Sequence, residues 1–221
     1  MVLPLSSCKQ YYIVHDFETR TKAHKKVAVL PVKMIFTGNK PKKLTDEQIK
    51  EIEIAESKAF QIALLDEILE STRGVRKPIR VTFLTNAEVL KKLEEGGISI
   101  RDSWDKDPKV LAQLLNVDAV VKMDVTKKRY ISDLASFGIQ VAQDVIGILG
   151  GVGVYAYTLA RGVSKTNDVT ASAQLVGMKD GTVLWSKSDS RSADWSNPAE
   201  TVIRSMCRSM GRDFPYRIEK K

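Results

Sequence analysis

What is scarce in this chain narrows its chemistry before any motif is considered. Among 221 residues there are two cysteines, Cys8 and Cys207, too few for a disulfide framework or a thiolate metal cluster. The two histidines, His15 and His24, both lie in the polar N-terminal stretch. They lack the ligand neighbours of a zinc site and read as exposed side chains. No Ser/His/Asp constellation can be assembled from them, so no catalytic residue, metal or cofactor is expected. Aromatic residues make up 7% of the chain, and no basic surface interleaved with aromatics emerges, which excludes the usual nucleic-acid modules. The net charge of +8 is spread among acidic residues, with basic clusters only at Arg20–Lys26, Lys127–Arg129 and the tail "RIEKK". It reads as solvated surface, helped by any nearby anionic lipid.

What is present suits one folded domain. Hydrophobic residues at 43% can build a core, and 28% charged residues is ordinary for a soluble fold. "KKVAVLPVKM" is apolar on both sides, as a central strand is. "LTDEQIKEIEIAESKAFQIALLDEILESTRG" opens with a Thr45/Gln48 capping box and carries Ile52, Ala55, Ala59, Ile62 and Leu69 near helical spacing, with Gly74 as its stop. "IRVTFLT" predicts a second strand, and Thr85/Glu88 caps a short helix ending at Gly96-Gly97. Asp107 and Pro108 open another helix that ends near Asn116, before a strand over Ala119–Val125. "DVTASAQLVGMKDGTVLWSKSDS" predicts a hairpin turning at Lys179-Asp180-Gly181. The last helix, "NPAETVIRSMCRSMGRDF", has an apolar side of Val202, Ile203, Met206, Cys207 and Met210, which makes Cys207 a packed thiol rather than a nucleophile. The expected fold is α/β: a mixed sheet of about five strands flanked by helices, with a C-terminal hairpin and a final helix.

The opening "MVLPLSSCKQ" raises a different matter. Leu5-Ser6-Ser7-Cys8 fits the lipobox of bacterial lipoproteins: a branched apolar residue, two small residues, then cysteine. A diacylglyceryl group is placed on the thiol, and a peptidase that requires small residues on the acyl side cuts before the cysteine. "MVLPL" is shorter than the about 7–15-residue apolar region of a signal peptide. Three explanations stay open: a start residue assigned too late, a trimmed leader, or an accidental match. On the lipobox reading, residues 1–7 are the remnant of a signal peptide and 8–25 a lipid-anchored polar tether. Residues 26–216 then form a single α/β domain with an insertion at 131–168, and 217–221 a basic tail.

That insertion is unusual. No Lys or Arg occurs from Leu134 to Ala160. Phe137, Val141, Val145 and Ile148 recur at helical spacing, whereas Tyr155 and Tyr157 alternate with small residues as in a strand. So apolar a surface is buried against its own domain, a partner or a bilayer, and Asp144 at its middle counts against a simple membrane span. "GVGVYA", Gly151–Ala156, matches a dinucleotide fingerprint. It follows a helical rather than a strand pattern, and Asp168 comes too soon to be the ribose-binding acid.

"KVAVLPV", a capped helix, "NVDAVVKMDVTK" and "ASAQLVGMKDGTVLWSKS", in that order, resemble the periplasmic α/β domain of bacterial envelope lipoproteins related to CsgG and LpoB. The TolB N-terminal domain is a more distant relative in fold. Asp180, Gly181, Leu184, Trp185 and Ser186 carry the most specific part of the resemblance and imply structure, not catalysis: a turn at Gly181 and a core plug at Trp185. The resemblance implies a non-enzymatic protein anchored in the bilayer by acylated Cys8 that binds envelope partners or copies of itself. Lys9 after the cysteine, in place of an inner-membrane retention aspartate, implies the bacterial outer membrane, facing the periplasm. Two alternatives stay open: an oligomeric secretion pore of the CsgG kind, and a cytosolic nucleotide-binding protein using Gly151–Ala156.

Overall fold

The computed structural model describes residues 11–38, 45–72, 78–127, 167–193 and 199–217. The elements run β1 (Tyr11–Ile13), α1 (Phe17–Thr21), β2 (Lys26–Val29), β3 (Lys33–Phe36), α2 (Asp46–Glu70), β4 (Thr82–Phe83), α3 (Asn86–Glu95), α4 (Ile100–Asp105), α5 (Pro108–Leu115), β5 (Ala119–Lys127), β6 (Asn167–Gly177), β7 (Val183–Ala193) and α6 (Ala199–Arg212). Seven strands form one mixed sheet in the order β1-β7-β6-β5-β2-β4, with β3 also alongside β5. β2, β3 and β5 are parallel, and β5, β6, β7 and β1 are antiparallel.

Helix starts follow the local chemistry. Thr45 Oγ1 accepts from the Gln48 N–H at 3.2 Å while Gln48 Oε1 accepts from the Thr45 N–H at 3.0 Å, and Thr85 with Glu88 repeats the arrangement. Asp107 accepts from the Lys109 N–H at 2.8 Å with Pro108 in the first turn, and Asn116 closes α5 in the left-handed region at φ 55°. Ser99 caps α4 by accepting from the Asp102 N–H, a helix absent from the expectation because six residues show no period.

The sheet is larger than expected for two reasons. The first apolar run divides into β2 and β3 around Leu30-Pro31-Val32, and both pieces lie along β5, against Ala119–Val121 and Asp124–Lys127 respectively. β1 comes from the stretch expected to be a free polar tether. Tyr11, Tyr12 and Ile13 pair with Lys187, Ser186 and Trp185, and Phe17 of α1 is buried at 4% exposure. The tether reading is corrected for residues 11–25, because Phe17 and Thr21 supply a buried side on one short helical turn. "IRVTFLT" contributes only Thr82–Phe83 to the sheet, plus a bridge from Ile79 to Arg217.

One face of the sheet is closed by α2 and α6, which sandwich Val27, Val29, Met123, Val125, Ala171, Ala173 and Trp185 among their neighbours. The other is covered over its first part by α3 and α5, against Ala28, Leu30, Val120 and Val176. α2, with 25 residues, buries side chains around much of its girth because it meets both the sheet and α6. Leu69, expected in its apolar stripe, is instead 42% exposed near the helix end.

Candidate interaction surfaces

The hairpin motif splits into a turn and a plug. Asp180 Oδ1 accepts from the Thr182 N–H at 3.0 Å, and Gly181 takes φ 70°, which an L side chain tolerates poorly. The same Thr182 bonds, side chain and backbone, with help from Arg20, hold the Asp180 carboxyl below the usual carboxylate range. Leu184 and Trp185 are buried, and the Trp185 ring meets Phe214 edge-on at 5.6 Å, just beyond α6. Ser186 points to the opposite face, beside Gln174.

The N-terminal elements are tied to this hairpin. Arg20 bridges Asp16 and Asp180, each at 2.8 Å. Phe17 meets Tyr216 edge-on, and the Arg80 guanidinium lies 5.2 Å from the Tyr216 ring centre. His24 Nδ1 lies 2.6 Å from the Tyr216 hydroxyl. The expectation of two exposed histidines therefore holds only for His15; His24 is half-buried. Burial lowers its pKa, Arg80 adds to the effect and Asp118 opposes it. Burial likewise raises the Tyr216 pKa.

Charges under the helices are arranged in pairs. Lys127, at the end of β5, is 1% exposed and engages Glu56 of α2, itself fully buried. Burial lowers the Lys127 pKa against the attraction of Glu56. Arg101 pairs with Glu53 and lies 5.0 Å from the Trp104 ring centre, while Arg208 meets Glu67 at 3.2 Å. Lys187 donates to the Ser209 carbonyl and to Asp213. Cys207 is buried beside the Phe60 carbonyl, and burial raises its thiol pKa, which keeps it protonated and inert.

Two cavities stand out. One of about 390 Å³ lies between α2, α3 and α4 and is lined by Lys58, Leu90, Leu93, Glu94, Ile98 and Ile100. The other, of about 430 Å³, is lined by Asp66, Glu67, Leu69, Glu70, Arg204 and Arg208. The first also takes in Ser99, whose hydroxyl donates to Asp102 at 2.6 Å as part of the α4 cap. Among the described residues, no group of three or more His, Cys, Asp and Glu is placed to hold a metal ion.

A further feature is the part of the second sheet face that, among the described residues, α3 and α5 do not reach. Cross-strand rows there read Ile35–Thr126–Thr170–Ser190, Lys33–Asp124–Ser172–Ser188, and Lys122–Gln174–Ser186–Tyr12. Thr170 lies 3.2 Å from Ser190, and Ser188 donates to Ser172 at 3.1 Å. Lys33 reaches down to Asp105 of α4. The result is a hydroxyl- and amide-rich platform with two lysines, Lys33 and Lys122, and one acid, Asp124. Its signal was present in the alternation of β6, where Thr170, Ser172 and Gln174 interleave with Val169, Ala171, Ala173 and Leu175. The buried Lys127–Glu56 pair carried no such signal.

Leu5, Ser6, Ser7 and Cys8 lie outside the described residues, as do Phe137, Val141, Val145, Ile148, Tyr155, Tyr157 and the Gly151–Ala156 segment. No helix among the described residues is long and apolar enough to cross a membrane.

No family model and no curated protein sequence matches the chain. Among solved structures, it is similar to lipoprotein GNA1162 from Neisseria meningitidis, at 16% identity over 84% of this chain and 94% of that one, TM-score 0.44. The PelC dodecamer from Paraburkholderia phytofirmans follows at 12% identity over 86% of each chain, TM-score 0.39. The LpoB C-terminal domain from Salmonella enterica shares 11% identity over 80% of this chain and 92% of that one, TM-score 0.37. Likeness at this level decides no role for the chain, which rests on its own residues.

Proposed function

We propose that this chain is a non-enzymatic lipoprotein of the bacterial envelope, acylated at Cys8 and facing the periplasm from the outer membrane, whose α/β domain binds envelope partner proteins. The supporting observation is where the lipobox falls relative to the fold. Every described element begins at or after Tyr11, so a cut between Ser7 and Cys8 spares each of them. An accidental match inside a folded segment would destroy structure on cleavage. The open hydroxyl platform of β5, β6 and β7 is the partner surface in this reading, because it is the broad polar area that the helices leave free.

The test is acyl labelling of the gene product in its own host, with Cys8→Ala as control, followed by membrane fractionation. Label in the outer-membrane fraction that disappears with Cys8→Ala supports the anchor; a soluble, unlabelled product overturns it. For the partner surface, Ser172→Arg and Ser188→Arg are expected to abolish in-cell crosslinking to envelope proteins while leaving acylation and thermal stability intact. Undiminished crosslinking moves the partner site elsewhere.

A further inference from the structure

We propose that the β1 edge of the sheet is a bilayer-contacting surface, so that the domain rests on the lipid headgroups instead of standing off them on a tether. The inference rests on the reading of Cys8 as the acylated residue and adds to it an orientation.

Covalent geometry sets the reach. From Cys8 to Tyr11 there are three residue steps, and an extended chain spans at most about 3.3–3.6 Å per step, or about 10 Å, whatever path it takes. A headgroup layer is itself about 5–8 Å thick, the difference between a bilayer of about 40–45 Å and a hydrocarbon core of about 30 Å shared by two leaflets. An acyl chain on Cys8 therefore brings β1 to the top of the headgroup layer. β1 is no loose arm: Tyr11, Tyr12 and Ile13 pair in register with β7, and the Val14 N–H donates to the Leu184 carbonyl at 3.0 Å.

The side chains at that edge suit an interface. Four large hydrophobic residues are exposed among the described residues, and two of them, Tyr12 at 51% and Ile13 at 43%, are consecutive in β1. Single exposed hydrophobics are ordinary, but these two stand on opposite sides of the outermost described strand, so that a surface meeting the edge end-on touches both. Tyrosine places an apolar ring and a wet hydroxyl where headgroups meet acyl chains. Lys22, just past α1, is exposed, whereas Asp16 and Glu18 are engaged by Arg20 and Arg80, so the charge beside this edge does not oppose anionic headgroups.

The sheet order then sets the orientation. β1 and β4 are the two ends of a six-strand path. At about 4.8 Å between neighbours, β4 stands about 24 Å from the β1 edge. The open platform of β5, β6 and β7 rises beside the membrane, accessible to partners anchored in the same leaflet.

The experiment uses the full, natively acylated chain in phosphatidylethanolamine/phosphatidylglycerol vesicles. Tyr12→Cys, Ile13→Cys and Lys91→Cys each carry an environment-sensitive fluorophore; Cys207 is buried and Cys8 is blocked by its lipid. Intact mass establishes acylation for each sample. The expected result is a blue shift and loss of quenching by aqueous iodide at positions 12 and 13, with quenching by spin-labelled headgroups, and neither effect at position 91 on α3. An acylated protein whose labels at 12 and 13 stay as quenchable as the one at 91 overturns the inference and leaves the anchor standing. An unmodified mass overturns both. Shielding at 12 and 13 without headgroup quenching, in a protein that crosslinks as a dimer, makes the edge a strand-pairing interface between two copies and also overturns it. Two labelled positions guard against one substitution disturbing β1.

Discussion

The two faces of the antiparallel half of the sheet are made from the same strands and behave as different materials. Along β6, Val169, Ala171, Ala173 and Leu175 are buried under α2 and α6, whereas Thr170, Ser172 and Gln174 between them face out. The closed face even takes in lysines, Lys127 and Lys187, provided each meets an acid or a carbonyl. The open face keeps hydroxyls bonded to one another. Stability is therefore concentrated on one face, and the other is free to vary with whatever it binds.

Breaking that division on the closed side carries the largest effects. Trp185→Ala is expected to cost about 3–5 kcal/mol in urea unfolding, while Ser186→Ala, its neighbour on the other face, stays within about 0.5 kcal/mol. Equal effects at the two positions would mean that the faces are not distinct. Lys127→Met strands Glu56 and is expected to cost about 3–5 kcal/mol, most of it recovered in Lys127→Met/Glu56→Leu. Failure of the double variant to recover would show that the pair holds α2 on β5 by more than charge neutralisation.

Smaller changes sharpen the comparison. A Cβ at Gly211 would lie 2.6 Å from the Glu67 carbonyl oxygen, where α6 crosses α2. Gly211→Ala is expected to cost about 1–3 kcal/mol, read as a shift of the unfolding midpoint. The mildest effect belongs to His24, outside both faces. Its folded pKa lies below the free value because burial penalises the imidazolium. The unfolded chain then binds the proton more readily, so the stability that neutral His24 contributes is complete above about pH 6.5 and is lost as pH falls through its folded pKa. His24→Gln is expected to flatten the acid side of a stability–pH curve below about pH 6.5.

How much of this was legible follows from the range of each signal. The caps at Thr45, Thr85 and Asp107 and the Asp180-Gly181 turn lie within three or four residues of their partners, so the order of letters shows them. β1 was missed because "YYI" carries no period; it becomes a strand only when β7 offers Trp185 to Lys187 as an edge. His24 was misjudged because Tyr216, which half-buries it, lies 192 residues away. For the candidate surfaces, the polar alternation of β6 was visible, but which of its faces the helices would leave open was not.

By itself, the amino-acid sequence determined where α2, α3 and α5 begin, where the hairpin turns, and that β2 is apolar on both sides. These depend on backbone hydrogen bonding and side-chain period, which act over a turn or a pleat. Only the tertiary structure decided that Tyr11–Thr21 belong to the domain, that Lys127 is buried with Glu56, and that α3 and α5 cover just the first part of their sheet face. Each of those is a contest between desolvation and a partner distant in sequence, and its outcome exists only once the chain has folded.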